Sequence, residues 1–460
     1  MALGKRETER QDDLFITHDQ LPKSVGHVFY VKLNQLLAEA GFDPWIEELC
    51  EPYYAAGGRP SLPPGNYFRM LLVGYFEGIG SQRGIAWRCA DSLSLRSFLG
   101  LALTEASPDH SSLSYIRQRL PREIHDAVFA KVLAIAHAKQ LLVGTTVAVD
   151  STTLEANAAM KSIIRRDTGE DYQAYLTRLM REEGLVEEGE EPNAEERRKF
   201  DKTRKKTASN DEWLNPNDPA AKIARMKDGT THLAYKAEHV IDLDSGLLVA
   251  AEITPADQGD TQTLTDSVTK AEVNMGRVGH EQLVEEVVAD AGYHSNELLT
   301  ELKDDLQCRT YIPEPKLKHE RTWTDKPPEQ KAAVYANRRR TRGARGRRLQ
   351  RQRSEQVERS FAHVCETGGA RRTWLRGIEN VAKRYSIAAA AHNLGCLMRK
   401  LFKMGTPRGL QPFADSLEGV IAAFLTALPL AWLASRQLAT DTRPTRAYWR
   451  IATKSVTHAA

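Results

Sequence analysis

Three acidic residues stand where a carboxylate can do chemistry. Asp150 closes an apolar, β-branched run in AVDSTTLEANA and Asp290 closes another in VVADAGYHS. Glu358 lies in SEQVERSFAHV, where Val357, Phe361 and Val364 recur at helical spacing. Carboxylates leaving the carboxyl ends of strands enter the usual ligand crevice of an open α/β sheet. Hard cations such as magnesium take oxygen ligands, commonly carboxylates together with substrate phosphates. Two such ions about 4 Å apart activate an attacking oxygen and stabilise a departing one in phosphodiester chemistry. On that reading Asp150 and Asp290 clamp the ions and Glu358 completes the second ion's shell. Taken singly, each acid has a plainer reading. An aspartate after a strand caps the next turn, and a helical glutamate faces solvent. Glu355, three residues before Glu358, competes for the third position.

The elements around these acids read as a mixed sheet. Residues 145–150 predict a strand, and residues 233–241 and 247–253 a hairpin about the turn Asp244-Ser245-Gly246. Residues 284–290 and Tyr311-Ile312 predict two short strands, with a helix over 296–304 between them. Strands alternating with helices place the fold in the α/β class. Before them, residues 1–140 read as all-helical. Residues 67–76 are apolar on nearly every side, Ser81 is a fair N-cap, and Pro108 to Ser112 makes a turn before a helix carrying Leu113, Ile116 and Leu120 on one face. A helix over 123–140 places Ile124, Val128, Val132 and Ile135 at helical spacing. Short helices with a basic one after a tight turn suit a helix-turn-helix DNA-binding module, in which Arg117 and Arg119 would meet DNA; an all-helical structural domain explains the same pattern. The chain therefore divides into a helical part (1–140), a sheet part (141–400) with a charged insertion at about 160–220, and a tail (401–460).

Charge and composition narrow the chemistry. The 64 basic and 61 acidic residues nearly balance, yet nine arginines and no acid fall between residues 338 and 353. Such a tract is matched by nucleic-acid phosphates, which points to Arg338, Arg339, Arg340, Arg351 and Arg353 as DNA contacts. Among the thirteen histidines no H-E-x-x-H occurs, and no P-loop or G-x-S-x-G elbow is present. The five cysteines (Cys50, Cys89, Cys308, Cys365, Cys396) form no C-x-x-C pair, which excludes a cysteine zinc ribbon and suits a reducing cytosol. Residues 1–13 lack an apolar signal core. Residues 420–434 are apolar but interrupted by Pro429 and too short to span a bilayer, so no membrane partner is expected.

The motifs, in order, resemble a known family. The stretch RPSLPPGNYFRMLLVGYFEGIGSQRGIAWRCADSLSLRSFLGL followed by PDHSSLSYIRQRL resembles the helical domain of bacterial insertion-sequence transposases. VAVDSTTLEANA, VVADAGYHS and VERSFAHVCETGGARRTWLRGIENV resemble that family's three catalytic segments, over roughly residues 25 to 400. The resemblance implies a DDE transposase whose ribonuclease-H-like catalytic domain uses two Mg2+ ions, with Mn2+ as a substitute, to cut and join DNA. Asp150, Asp290 and Glu358 fall on the family's Asp, Asp and Glu. Its partners would be double-stranded DNA, namely the element's terminal inverted repeats and target DNA, bound by a homodimer or larger assembly in the bacterial cytoplasm at the nucleoid. Cys365 stands where many relatives carry a lysine, with Arg371 and Arg372 just beyond as substitute DNA contacts, and Arg351 or Arg353 replaces an upstream arginine. Asp290-Ala291-Gly292-Tyr293 keeps the family's D-x-G-Y turn, in which Tyr293 contacts DNA or belongs to the core. Two other readings fit the same acids: a DNA-binding descendant that no longer cuts, and a ribonuclease-H-like repair nuclease.

Overall fold

A computed structural model describes residues 26–55, 57–58, 61–204, 208–226, 229–316 and 321–407. The apolar stretch at 420–434 and most of the tail lie outside the described residues. Seven helices come first: α1 (Val28–Glu39), α2 (Phe42–Cys50), α3 (Pro64–Glu77), α4 (Gln82–Asp91), α5 (Leu93–Phe98), α6 (His110–Arg119) and α7 (Arg122–Ala138). Their starts follow local chemistry. Ser81 accepts from the Gly84 amide and Asp109 from the Ser111 amide, each satisfying a donor that the first helical turn leaves open. α3 buries residues on every side, among them Tyr67, Phe68, Met70 and Leu72. Arg69 is buried with them. Its guanidinium donates to both Asp43 oxygens (3.0 and 2.7 Å), to Asn34 and to the Phe98 carbonyl. Asp43→Ala would leave that cation without a counter-charge. We expect a loss of about 2–3 kcal/mol in chemical denaturation, while Arg69→Met at the same site loses less, because breaking one half of a buried pair costs more than removing its charge.

The sheet follows. β1 (Thr146–Glu155) is central, and an excursion of β2 (Ile164–Arg165), α8 (Tyr172–Glu182), α9 (Ala194–Thr203) and β3 (Trp213–Leu214) has its own small core of Leu176, Met180 and Phe200. Then come β4 (Lys222–Arg225), β5 (Thr231–Asp242), β6 (Leu248–Pro255), α10 (Asp260–Arg277), β7 (Glu286–Val288), α11 (Asn296–Asp304) and β8 (Arg309–Tyr311). The sheet order is β4-β5-β1-β7-β8, with β6 also on β5; β5 runs antiparallel to β1, β4 and β6, and β7 and β8 run parallel to β1. This is the α/β, ribonuclease-H-like arrangement that the sequence predicts. The expected hairpin forms, with Gly246 at φ +74° closing the turn onto the Asp242 carbonyl.

Four further segments complete the described chain: α12 (Pro328–Arg342), α13 (Ala344–Phe361), a π-helical turn (Ala362–Thr367) and α14 (Ile378–Phe402). α13 crosses β1, β7 and β8, α14 packs on β6 and along α7, and α10 packs on β5 and β6. Two helix asparagines bond to backbone at opposite sides of the sheet. Asn393 of α14 takes both the amide and the carbonyl of Leu248 (2.9 and 2.8 Å), and Asn337 of α12 takes those of Ile312 (3.0 and 2.7 Å). Each is fully buried. In this way the side-chain amide stands in for a neighbouring strand.

Candidate active site

Strand register brings the two aspartates together. Ala148 of β1 pairs with Val288 of β7 in a parallel ladder, so Asp150 and Asp290 follow two residues later on adjacent chains. The sequence suggested that β1 ends at Asp150. The strand instead continues to Glu155, because Ser151, Thr152, Thr153 and Leu154 keep pairing with β5 as far as Glu155 and Ala234. Asp150 is thus a mid-strand residue, while Asp290 lies just past β7 and caps the turn Ala291–Tyr293.

Each carboxylate is held by a backbone amide: Ser151 N on Asp150 Oδ1 and Gly292 N on Asp290 Oδ1, both at 2.8 Å. Arg353 Nη1 donates to the other Asp150 oxygen at 2.8 Å. Burial raises the Asp150 carboxyl above the usual aspartate range; Arg353 and the Ser151 amide oppose this, and the negative charge of Asp290 adds to it.

Arg353 reaches Asp150 because the face of α13 that packs on the sheet carries it. Gln350 on the same face donates to the Ala289 and Tyr311 carbonyls, and Val357 and Ser360 are buried. Phe361 stacks on His239, the residue paired opposite Asp150 in β5, at 4.0 Å between centroids. Glu358 comes five residues after Arg353, which at 3.6 residues per turn points it roughly 140° away. It is exposed and accepts from Ser354 at 3.2 Å. Glu355 is exposed too and pairs with Arg359 at 2.5 Å. The strand register thus sets Asp150 beside Asp290, while Glu358 is turned to solvent and bonded to Ser354. Among the described residues no group of three or more acids, histidines or cysteines is placed to hold a metal ion.

A polar layer on the other face of the sheet supports the aspartate turn. Ser151, alternating with Asp150, donates to Asp260 Oδ1 at 2.9 Å, and Lys236 pairs with the same oxygen at 2.8 Å. Glu238, fully buried, accepts from Thr263 (2.9 Å), Ser267 and the Tyr293 hydroxyl (2.7 Å). That corrects the reading of Tyr293 as a DNA contact: its ring is wholly buried and its hydroxyl is committed to Glu238. Asp260 and Lys236 escaped the sequence reading. The one local signal was an acid in the first turn of an amphipathic helix, which capping explains equally well. Gly292 lies between the two acids. A Cβ there would stand 3.0 Å from Asp290 Oδ1 and 3.1 Å from Asp260 Oδ2. If Asp290 holds a divalent ion, Gly292→Ala is expected to weaken its binding by about tenfold in calorimetric titration while the melting temperature moves little, the size of effect that follows from disturbing the groups that orient a ligand. Unchanged affinity would remove the steric argument.

The arginine tract is less free than its density suggests. Arg338 pairs with Glu314 (2.6 Å), Arg340 donates to the Thr310 carbonyl (3.0 Å), Arg345 pairs with Glu286, and Arg353 is on Asp150. The reading of Arg338, Arg340 and Arg353 as DNA contacts is corrected to that extent. Arg339, Arg348 and Arg351 are exposed and make no ion pair among the described residues. Arg371 is bound to Glu366 and to Thr152 of β1. Arg372 stacks over the exposed Trp374 ring (5.0 Å) beside Glu155, and Arg119 over Tyr54 (4.6 Å). Arg117 is half-buried and lines an internal cavity rather than an outer helix face. Cys365, in the place of the family's lysine, is buried near the Tyr385 hydroxyl.

Residues 143–394 match the family described as transposase DDE domain, which is more than half of the chain. The chain belongs to the DDE transposase family. Residues 16–119 match a second family, described as transposase domain (DUF772), so both major parts of this transposase are recognised as such. Searches of curated proteins and of solved structures returned no match. Transposases of this family generally bind DNA and use a divalent metal. The donor set of this DDE transposase suits a hard cation in part. Asp150 and Asp290 offer adjacent carboxylate oxygens. Among the described residues no helix is long and apolar enough to cross a membrane.

Proposed function

We propose that this transposase cuts a phosphodiester at the ends of its own mobile element and joins the freed 3′-hydroxyl to target DNA. The observation that carries this is the register of β1 and β7, which sets Asp150 beside Asp290 inside a segment matched to the DDE family. The two aspartates would hold the divalent ion, Mg2+ or Mn2+, through their carboxylate oxygens. Once bound, such an ion supplies Lewis-acid activation of the attacking oxygen and charge stabilisation on the phosphate. The chain's own residues supply position. The Ser151 and Gly292 amides fix the two carboxylates, and Arg353 neutralises Asp150. Arg339, Arg348 and Arg351 offer phosphate contacts at the surface of α12 and α13. Glu358 is proposed as the third acid, supported by the family match across its segment. We take residues 1–140 as the part that binds element ends, residues 141–400 as the catalytic part, and at least a dimer as the form that pairs two ends.

A second reading is favoured by the exposed Glu358: a DNA-binding descendant that no longer cuts. The full-length protein with duplexes carrying the terminal repeats separates the two. Nicking that requires Mg2+ or Mn2+ and leaves a 3′-hydroxyl is the expected result. Retention of the duplexes without a nick in either ion would establish the silent reading instead.

A further inference from the structure

A cavity of about 350 Å³ lies between α3, α4 and α6 on one side and α14 with the segment before it on the other. Its walls include Tyr67, Tyr75, Ile85 and Ile387, and the exposed Trp374 stands at its mouth. Three cations line it: Arg117, Lys383 and Arg384. No carboxylate does, among the described residues. Lys383 reaches Glu379 at 3.0 Å, outside the cavity. Arg384 is bonded to a neutral carbonyl, that of Gly369, at 2.9 Å, and Arg117 Nε is buried without a hydrogen-bond partner. Buried charges in proteins are ordinarily paired, since desolvation of an unpaired ion costs several kcal/mol. Here two guanidiniums share a cavity and repel one another; burial, and for Arg384 the charge of Arg117, make both harder to keep protonated. An anion in the cavity would offset both the burial of these cations and their mutual repulsion.

We propose that this cavity is a binding site for a nucleoside phosphate, its phosphate held by Arg117 and Arg384 and its base against Tyr75 and Trp374. Guanidiniums recognise phosphate oxygens in pairs, aromatic rings stack on any base, and the volume falls at the lower end of ordinary ligand pockets, about 300–1,000 Å³. The ligand is either a free nucleotide or one nucleotide of a DNA strand; both present the same chemistry. The site is separate from the aspartates and does not depend on their catalytic role.

Calorimetric titration of the full-length protein with each deoxynucleoside monophosphate tests this, alongside deoxythymidine, inorganic phosphate and a single-stranded decanucleotide. Saturable binding of the monophosphates is expected, with nucleoside and inorganic phosphate at least about tenfold weaker. A decanucleotide that binds tighter than the monophosphates assigns the site to DNA, and a weaker one assigns it to a free nucleotide. Arg384→Gln should weaken binding by about tenfold to a hundredfold, the size of a lost charge-assisted contact. The same variant should keep or raise the ligand-free melting temperature, whereas an arginine with a structural role would lower it. Gly80→Leu keeps both cations and blocks the mouth, since a Cβ at Gly80 points between Trp374 Nε1 (3.4 Å) and Arg384 Nη2 (3.5 Å). It carries the test if Arg384→Gln does not fold. No saturable binding by any phosphate-bearing probe, or affinity unchanged in the variants, overturns the proposal.

Discussion

Asp290→Asn is expected to lower nicking of element ends by about a thousandfold or more while leaving their binding within a few-fold of wild type. A divalent ion contributes several kcal/mol to phosphoryl transfer, and each 1.36 kcal/mol is a factor of ten in rate. The substitution removes a negative ligand but keeps an oxygen to accept the Gly292 amide, so the turn at Ala291–Tyr293 stays formed. Asp150→Asn should cost as much in activity, but it is less clean. It also strips the counter-charge from Arg353, whose side chain is only 12% exposed. The pH profile carries a second signature. Burial and Asp290 raise the Asp150 carboxyl in the ion-free protein, so protons should compete with the divalent ion for this site as pH falls, and raising the ion concentration should restore nicking. Gel assays with matched binding measurements decide the matter, and near-normal nicking by Asp290→Asn would end the assignment. Glu358→Gln and Glu355→Gln in the same assay identify the third acid by which one abolishes the nick.

Acidification should also lower the stability of the fold before carboxylates begin to protonate. Burial pushes His125 and His392 down to about 4, and His239 well below its ordinary value. His125 sits between the Tyr67 hydroxyl (3.1 Å) and the Pro121 carbonyl, and His239 between Ser360 (2.9 Å) and Tyr385 (2.7 Å). An unfolded histidine takes a proton near pH 6.5. Between 6.5 and about 4 the unfolded chain therefore binds more protons, and stability present at neutral pH is lost as pH falls. A shift of this size is worth about 3 kcal/mol for each of His125 and His392 at the acid limit. Glu286 and Glu314, held low by Arg345 and Arg338, act in the same direction but only below the usual glutamate range. Urea midpoints should thus fall steadily from pH 7 to pH 5, and His392→Gln should flatten the slope. A midpoint independent of pH across that interval would contradict the neutral burial of these rings.

What could be read from the residues alone were features that depend on near neighbours. Ser81 and Asp109 cap their helices, Asp244 to Gly246 turns the hairpin, and residues 286–288 form a short strand shortly before Asp290. Other features depend on how a side chain is rotated about its helix or on partners far along the chain. Glu358 and Arg353 both belong to a plausible motif, and only the packing of α13 decides which meets Asp150. Nothing near Arg338 or Arg345 in sequence announces Glu314 or Glu286. Tyr293 could face either way until Glu238, on a strand 55 residues earlier, claims its hydroxyl. Asp260 went unnoticed for the same reason: its partners Ser151 and Lys236 lie on two different strands.

The asparagines at the two borders of the sheet bear on how copies of this chain can meet. A bare outer strand invites a strand from another molecule, the route by which β proteins extend into fibrils or exchange segments. Asn393 at Leu248 and Asn337 at Ile312 already use the backbone groups such an intruder would need. At Leu248 and at Ile312 the backbone is thereby closed to an incoming strand. Two copies that meet at these places would do so through helix faces and loops rather than through one shared sheet.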